Sequence, residues 1–574
     1  MKAKTAWGIL FLALLAGSIP IQAQTRSQIK EQALEAERDE VAAVAPMADR
    51  IVAREQQMMK ELHKYSPRAE TYLQQFKIDR ELGPVVSGDR YFIGRLKFGK
   101  KPYEATFRPE TGFIGPLLHS LHNKMLPIYG VRFDLSTPGI LIDQNFDRSH
   151  YIFSFVRREF LGDVRCLVFD ITPRPRHRGG RFNGRIWVED QDYTIVRFNG
   201  THIPTSRMGF EAHQDSWRQN LQPGLWLPVY IYSEESDLKI GRHLLRMRAQ
   251  TWLWGYKLTS PEKQEELTKV LVDAPEPVRD ADAAHDLSPL ESQRQWEKEA
   301  EDNMLERLEK AGLLSPAGAV DGVLSTVANN LVVTNNLNYL SDLRCRVMLT
   351  SPLESFTVGH TLVLSRGLID VLPDEASLAM VLAHEIGHIA AGGQMNTKYA
   401  FNDTLSMRDE DLLNALMLRS DAKTEEGADK KGAELLKNSP YKDKLGNAGL
   451  FLKALSDEAK DAPSLLGAQL GNRLVAGKHL MRMAELMNIA PELQPKRLDQ
   501  IAALPLGSRV KLDAWSGQTD LIKSKPVAIV AAREKMPFQV THLYPYLTRK
   551  ETTAQNIQNR SDAPPAGKPG QQNQ

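Results

Sequence analysis

The run Leu382-Ala383-His384-Glu385-Ile386-Gly387-His388-Ile389 constrains this chain more than any other stretch. It lies in an apolar segment that opens after Pro373-Asp374, with Leu378, Val381, Leu382, Ile386 and Ile389 at helical spacing. Asp374 suits an N-cap and Gly392-Gly393 a stop, so a helix is expected between them. On a helix, two histidines four apart project from one face, one turn above the other. Two neutral imidazole nitrogens so placed can share one Zn²⁺. Glu385, beside His384, can reach a water in that site without being a ligand and take its proton as general base. H-E-x-x-H on a helix is the pattern of metal-dependent peptide hydrolysis.

Catalytic zinc sites keep three protein ligands, so a third is expected downstream. Glu425 is the candidate, in Lys423-Thr424-Glu425-Glu426-Gly427-Ala428-Asp429-Lys430-Lys431-Gly432, with Glu426 and Glu434 as alternatives. Asp429, one turn on, is placed to hydrogen-bond a ligand histidine. This stretch resembles the E-x-x-A-D-x-x-G element that follows H-E-x-x-H in metallopeptidases of the CAAX prenyl protease and HtpX type. The segment from Phe356-Thr357-Val358-Gly359-His360 to Gly367-Leu368 is similar to that family's N-A-F-x-x-P-G-G-x-I-x-v-x-x-G-L strand. Here Glu354-Ser355-Phe356 stands where Asn-Ala-Phe is usual, and His360 replaces the second glycine. Ala490-Pro491…Arg497 is the nearest match to the family's later His-Pro…Arg element. The resemblance spans roughly residues 320–440. It implies one zinc ion bound by His384, His388 and Glu425, Glu385 as general base, and Asp429 orienting a ligand from outside. It also implies that an extended substrate pairs with the strand carrying Phe356, Thr357, Val358 and Gly359.

At 574 residues, several domains are expected. A formal charge of +2 gives no electrostatic case for nucleic acid. Cys166 and Cys345 read as two lone buried thiols rather than a disulfide, and two cysteines cannot build a cysteine zinc site. Met1-Lys2-Ala3-Lys4 is basic, Ala6–Ala16 is apolar, and Gly17–Ala23 ends in small residues. A signal peptide over 1–23 is therefore expected. No later stretch reaches ~18 continuous apolar residues. The expectation is an exported protein, periplasmic in a Gram-negative source and otherwise secreted.

The fold expected is α+β. A helical segment over 24–76 precedes an antiparallel β domain over 77–260, where the apolar period falls to two from Tyr91-Phe92-Ile93 onward. The run from Phe169-Asp170-Ile171 through Gly184–Val188 to Arg197-Phe198-Asn199-Gly200 resembles the periplasmic lipoprotein-carrier half-barrels. That likeness implies an apolar face able to hold an acyl chain or a peptide; a sheet that docks on the peptidase is the other reading. Arg174, Arg176, His177, Arg178, Arg181 and Arg185 surround a Gly-Gly turn and read as a solvated loop, or as a contact with anionic lipid at the outer membrane. A charged helical linker is expected over 261–312, its second half as an exposed helix. The mainly helical metallopeptidase domain is expected over 313–505, a small β element over 506–549 and a disordered tail over 550–574. Leu412–Leu418 and Leu474–Met487 read as packing helices of the metallopeptidase domain, and Val510–Leu512, Val527–Ala531 and Phe538–Leu543 as strands of the small β element. His360 reads as a structural histidine, while His479 and His542 are possible oxyanion donors that spacing does not select.

These readings converge on a zinc metalloendopeptidase acting on polypeptides, by analogy on misfolded or misassembled envelope proteins. The competing reading is a chaperone-like binding factor or lipid carrier with a latent protease domain. A purely structural zinc site would have no use for Glu385.

Overall fold

The computed structural model describes residues 26–96, 103–105, 139–143, 145–175, 179–203, 213–240, 243–259, 288–392, 400, 418–476 and 480–550. The expected signal peptide, the tail beyond Lys550, the linker before Ser288, His479 and most of Leu412–Leu418 lie outside them. No described helix is long and apolar enough to cross a membrane.

Helix α1 (Arg26–Leu62) leads into strands β1 (Arg68–Asp79), β2 (Gly83–Leu96) and β3 (Tyr103–Ala105). Strands β4 (Tyr151–Leu161), β5 (Val164–Pro173), β6 (Phe182–Glu189), β7 (Ile195–His202), β8 (His213–Gln222), β9 (Leu225–Ile240) and β10 (His243–Trp254) follow. They form one antiparallel sheet in the order β3-β2-β1-β10-β9-β8-β7-β6-β5-β4, open between β3 and β4. This is the expected antiparallel meander, but it begins at Arg68 rather than near 77. The first eight residues of β1 are buried save Gln75, including the polar Arg68, Glu70, Thr71 and Gln74. With both faces covered, an apolar/polar alternation has no reason to appear.

Both sides of the sheet are occupied by the chain itself. Leu167, Phe169, Ile171, Ile186, Val188 and Phe198 cluster with Val44, Ala48 and Ile51 of α1. A buried ion pair from Arg218 of β8 to Glu55 of α1, at 2.6 Å, clamps this helix down. On the opposite side the C-terminal segment runs across β8 and β9: Trp217 meets Tyr544 edge-on and Tyr232 stacks on His542. The apolar face that a carrier would offer to an acyl chain is thus covered by α1 over these strands.

The second half comprises α2 (Pro289–Lys310), α3 (Ala319–Thr334), β11 (Arg344–Met348), β12 (Glu354–Val358), β13 (Thr361–Ser365), α4 (Arg366–Val371), α5 (Glu375–Ala390), α6 (Ala422–Lys437) and α7 (Leu445–Glu458). After these come the two-residue strands β14 (Asn472–Arg473), β15 (Val475–Ala476) and β16 (Leu480–Met481), the short α8 (Leu486–Ile489), and the pair β17 (Val510–Leu512) and β18 (Thr519–Leu521). The small sheet runs β11-β13-β12-β14. Three expectations fail here. Leu474–Met487 is a β15–β16 hairpin and one helical turn, with Met483 at φ +56°, which no continuous helix allows. Val527–Ala531 and Phe538–Leu543 are not strands; near Val540 the backbone is satisfied by the side chain of Gln74 in β1, which donates to Phe538 O and accepts from Val540 N–H. Helix α2 is not wholly exposed, because Ala300, Met304, Leu305 and Leu308 are buried. Both cysteines are buried free thiols, and burial pushes each up to about 12.

The two halves meet through satisfied polar contacts. Glu70 of β1 accepts from Ser351 N–H at 2.6 Å, Ser351 Oγ at 2.9 Å and Arg366 Nη2 at 2.6 Å. Asp89 of β2 accepts from the N–H groups of Ser464 and Leu465. The latter pair lies just upstream of β14, so the sheet also positions the chain that approaches the site.

Candidate metal centre

Local rules build the first half of the site. Asp374 caps α5 by accepting from Ser377 N–H, and Gly392, at φ +77°, follows the helix end. Asp421 caps α6 in the same way through Thr424 N–H. Two glycines then bring these helices together. A Cβ on Gly387 would lie 2.5 Å from Ala428 O, and one on Gly432 would lie 3.0 Å from Ala383 O. Only glycine permits so close a backbone approach, and the consequence is that Glu425 reaches the two histidines.

His384, His388 and Glu425 are all buried, and each offers an atom within 4.8 Å of the others. The two Nε2 atoms are 3.1 Å apart, Glu425 Oε1 is 3.1 Å from His388 Nε2, and Oε2 is 3.5 Å from His384 Nε2. A tetrahedral ion with ligand bonds of about 2.0–2.1 Å needs ligand–ligand edges of roughly 3.3–3.4 Å. Asp429 Oδ1 accepts from His384 Nδ1–H at 2.7 Å, which fixes the tautomer and turns the Nε2 lone pair toward the cluster. The donor set and its spacing therefore fit zinc. Burial and the Arg482 charge push His384 down, yet hydrogen bonds to Asp429 and Glu425 outweigh them and raise it. Burial pushes the Glu425 carboxyl up, but the two imidazoles and Arg482 hold it far below the usual carboxylate range.

Glu385 is buried on the same helix and accepts from Ser355 Oγ of β12 at 2.6 Å. Strand β12 contains Phe356, Thr357 and Val358, with Gly359 in the turn to β13 at φ +55°. Its inner edge pairs with β13 and its outer edge with β14. His360 Nδ1 donates to Asp342, and His542 pairs with Asp215 in the large sheet, so neither belongs to the site.

Three residues of the site are new. Arg482 donates through Nε to Glu425 at 2.9 Å and through Nη1 to Glu385 at 2.8 Å and to Ser355 Oγ at 2.9 Å. Asn472 Nδ2 donates to Glu425 Oε1 at 2.5 Å. Ser355 is the third. Arg497, expected as the nearest equivalent of a family arginine, is instead half-exposed and paired with Asp499. The available signal was a lone arginine inside Leu480-Met481-Arg482-Met483, a charge with no place in a packing helix.

Among solved structures, the chain is similar to a DUF1329 family protein from Desulfovibrio piger, with 10% identity over 36% of this chain and 90% of that one and a TM-score of 0.19. It is also similar to a LolA superfamily protein from Nitrosomonas europaea, with 13% identity over 37% and 91% of the two chains and a TM-score of 0.19. No curated protein matches. The family description Peptidase family M48 matches residues 324–447, which hold both histidines, Glu385, Glu425 and Asp429, so this part of the chain is an M48 metallopeptidase domain.

Proposed function

We propose that the protein is an exported zinc-dependent metalloendopeptidase that cleaves polypeptides in the cell envelope, with misfolded or misassembled envelope proteins as its substrates. The observation that carries this is the buried His384–His388–Glu425 cluster beside Glu385, with Asp429 orienting the first imidazole. Bound there, zinc supplies Lewis-acid polarisation of a carbonyl and eases the ionisation of water. Glu385 takes the proton of the attacking water and returns it to the leaving amine. Asp429 keeps His384 in the ligand tautomer. The signal-like first 23 residues support export, and the M48 match supports peptide hydrolysis.

The test joins metal content to turnover. Purified mature protein is expected to carry about one zinc per chain, strongly reduced in His388→Ala and Glu425→Ala, and to degrade an unfolded protein such as reduced casein. Glu385→Gln should keep the zinc and lose activity about 10²–10⁴-fold. A folded wild-type chain that takes up no zinc sinks the proposal. If Glu385→Gln were fully active in cells, the binding-factor reading would replace it.

A further inference from the structure

The groove beside the metal cluster is filled by this chain's own residues. Asn472 and Arg473 pair antiparallel with Ser355 and Glu354 on the outer edge of β12, the edge next to Glu385. The approach is built in three ways. The buried carboxylate of Glu354 accepts from the N–H groups of Gln469, Leu470 and Gly471, at 2.9, 3.0 and 3.1 Å. Gly471 lies so close to β12 that a Cβ there would sit 2.8 Å from Ser355 O and from the Phe356 ring. Leu474, buried, walls an apolar cavity shared with Met380 and Val381 of α5 and Phe451, Leu452 and Leu455 of α7. The return of the hairpin then seals the site: Arg482 bridges Glu385 and Glu425, and Met483 N–H donates to Asp429 at 3.0 Å from a left-handed backbone.

A strand laid antiparallel on a sheet edge, with one side chain in an apolar pocket, is the way peptides are bound by β-augmentation. We propose that residues 469–474 are a built-in occupant of the peptide groove, that a substrate must displace them, and that the cavity beside Leu474 is a subsite for an aliphatic substrate side chain. This rests on the peptidase reading and adds its regulation and side-chain preference. Glu354 and Ser355, the two positions that depart from the family's Asn-Ala-Phe, are the ones that hold this segment: Glu354 anchors its backbone and Ser355 pairs with Asn472. The segment therefore acts as a competitor attached to its own enzyme. Apparent affinity for any peptide is reduced by the fraction of molecules in which the groove is open.

The test measures binding apart from turnover. The probe is a fluorescein-labelled synthetic peptide, Gln-Leu-Gly-Asn-Arg-Leu-Val, corresponding to residues 469–475. It is titrated into full-length zinc-loaded protein carrying Glu385→Gln, so that it is not cleaved. Leu474→Asp and Gly471→Val are each added to that background, to expel the segment from the cavity or from β12. Fluorescence anisotropy should show binding at least about tenfold tighter in either expelled variant than in the reference. A probe with aspartate in place of its second leucine should bind none of them. Equal binding by reference and variants, or no binding by folded variants as judged by circular dichroism, overturns the proposal. Should one variant fail to fold, the other decides. Equal affinity for the aspartate probe removes the aliphatic subsite. Failure of the underlying reading looks different: zinc-loaded wild-type protein and both expelled variants with Glu385 intact would leave casein uncleaved, while probe binding persisted.

Discussion

The metal cluster is approached from two regions built on opposite terms. The α5–α6 pair is regular: each helix is capped by an aspartate, each carries a glycine at the crossing, and all three cluster residues project from fixed helical positions. Among the described residues of the 469–483 segment the only regular elements are two-residue strands, yet it supplies Asn472 and Arg482 to the carboxylate of Glu425. Helices can be aligned by packing alone, whereas an irregular segment must be held by side chains that reach it from elsewhere. Glu354 does this with the N–H groups of residues 469–471, and Asp89 holds Ser464 and Leu465 just before them. Rigidity in the first region suits a metal site, and a few replaceable contacts in the second suit a part that leaves.

The sharpest way to break that contrast is to remove the arginine that joins the regions. Arg482→Met leaves Glu385 and Glu425 buried without their cation, and unpairing a buried ion typically costs about 3–5 kcal/mol. Urea unfolding of the zinc-free protein should register a loss near the lower figure, about 3 kcal/mol. An unchanged midpoint would mean that the arginine is not seated as described. Next in size is the helix crossing. Gly387→Ala places a Cβ against Ala428 O, and overpacking of this kind costs about 1–3 kcal/mol. Because the crossing sets the reach of Glu425, zinc affinity measured by competition with a chelator should fall together with stability. Stability lost with affinity intact would show that Glu425 does not depend on that contact.

The smallest effect concerns the joint beneath the segment. Burial, with Asp461, Asp457 and Asp89 nearby, pushes the Glu458 carboxyl up to about 7. A carboxyl raised on folding favours the folded state while protonated. Its contribution is full below the unfolded value near 4.5 and is lost as pH rises through about 7. Glu458→Gln should accordingly match wild type near pH 4.5 and be more stable above pH 7, by about 1–2 kcal/mol after allowance for partial exposure. Thermal melts across that range would show it, and a constant offset at every pH would refute the titration as its source.

What could be read in the sequence follows the same division. His384, Glu385 and His388 stand at helical spacing between the caps Asp374 and Gly392, Glu425 and Asp429 stand one turn apart downstream, and the structure brings the two groups together. Strands of the large sheet were legible where apolar runs are bounded by short polar turns, as along β5 and β6, and not in β1, whose buried residues include the polar Arg68, Glu70, Thr71 and Gln74. The C-terminal residues 538–543 were misread because their apolar pattern suits a strand, while their backbone makes only an isolated bridge to Leu506 and meets the side chain of Gln74, more than 460 positions earlier. Arg482 and Asn472 were not found: nothing near Asn472 marks it, and the lone charge at Arg482 marks a misfit in an apolar run without pointing to the carboxylates it serves.

The sequence by itself determined the residue types and their local spacing: two imidazoles one turn apart, a carboxylate beside them, and a downstream pair of carboxylates, Glu425 and Asp429, one turn apart. Those relations are set within a helix turn by backbone geometry, so local residue order carries them. Only the tertiary structure decided what lies in the groove. Glu354 meets residues 469–471, and Arg482 meets Ser355, Glu385 and Glu425, across 97 to 127 positions wherever Ser355, Glu385 or Glu354 is concerned. Contacts of that range depend on how whole elements pack, and no spacing along the chain encodes them.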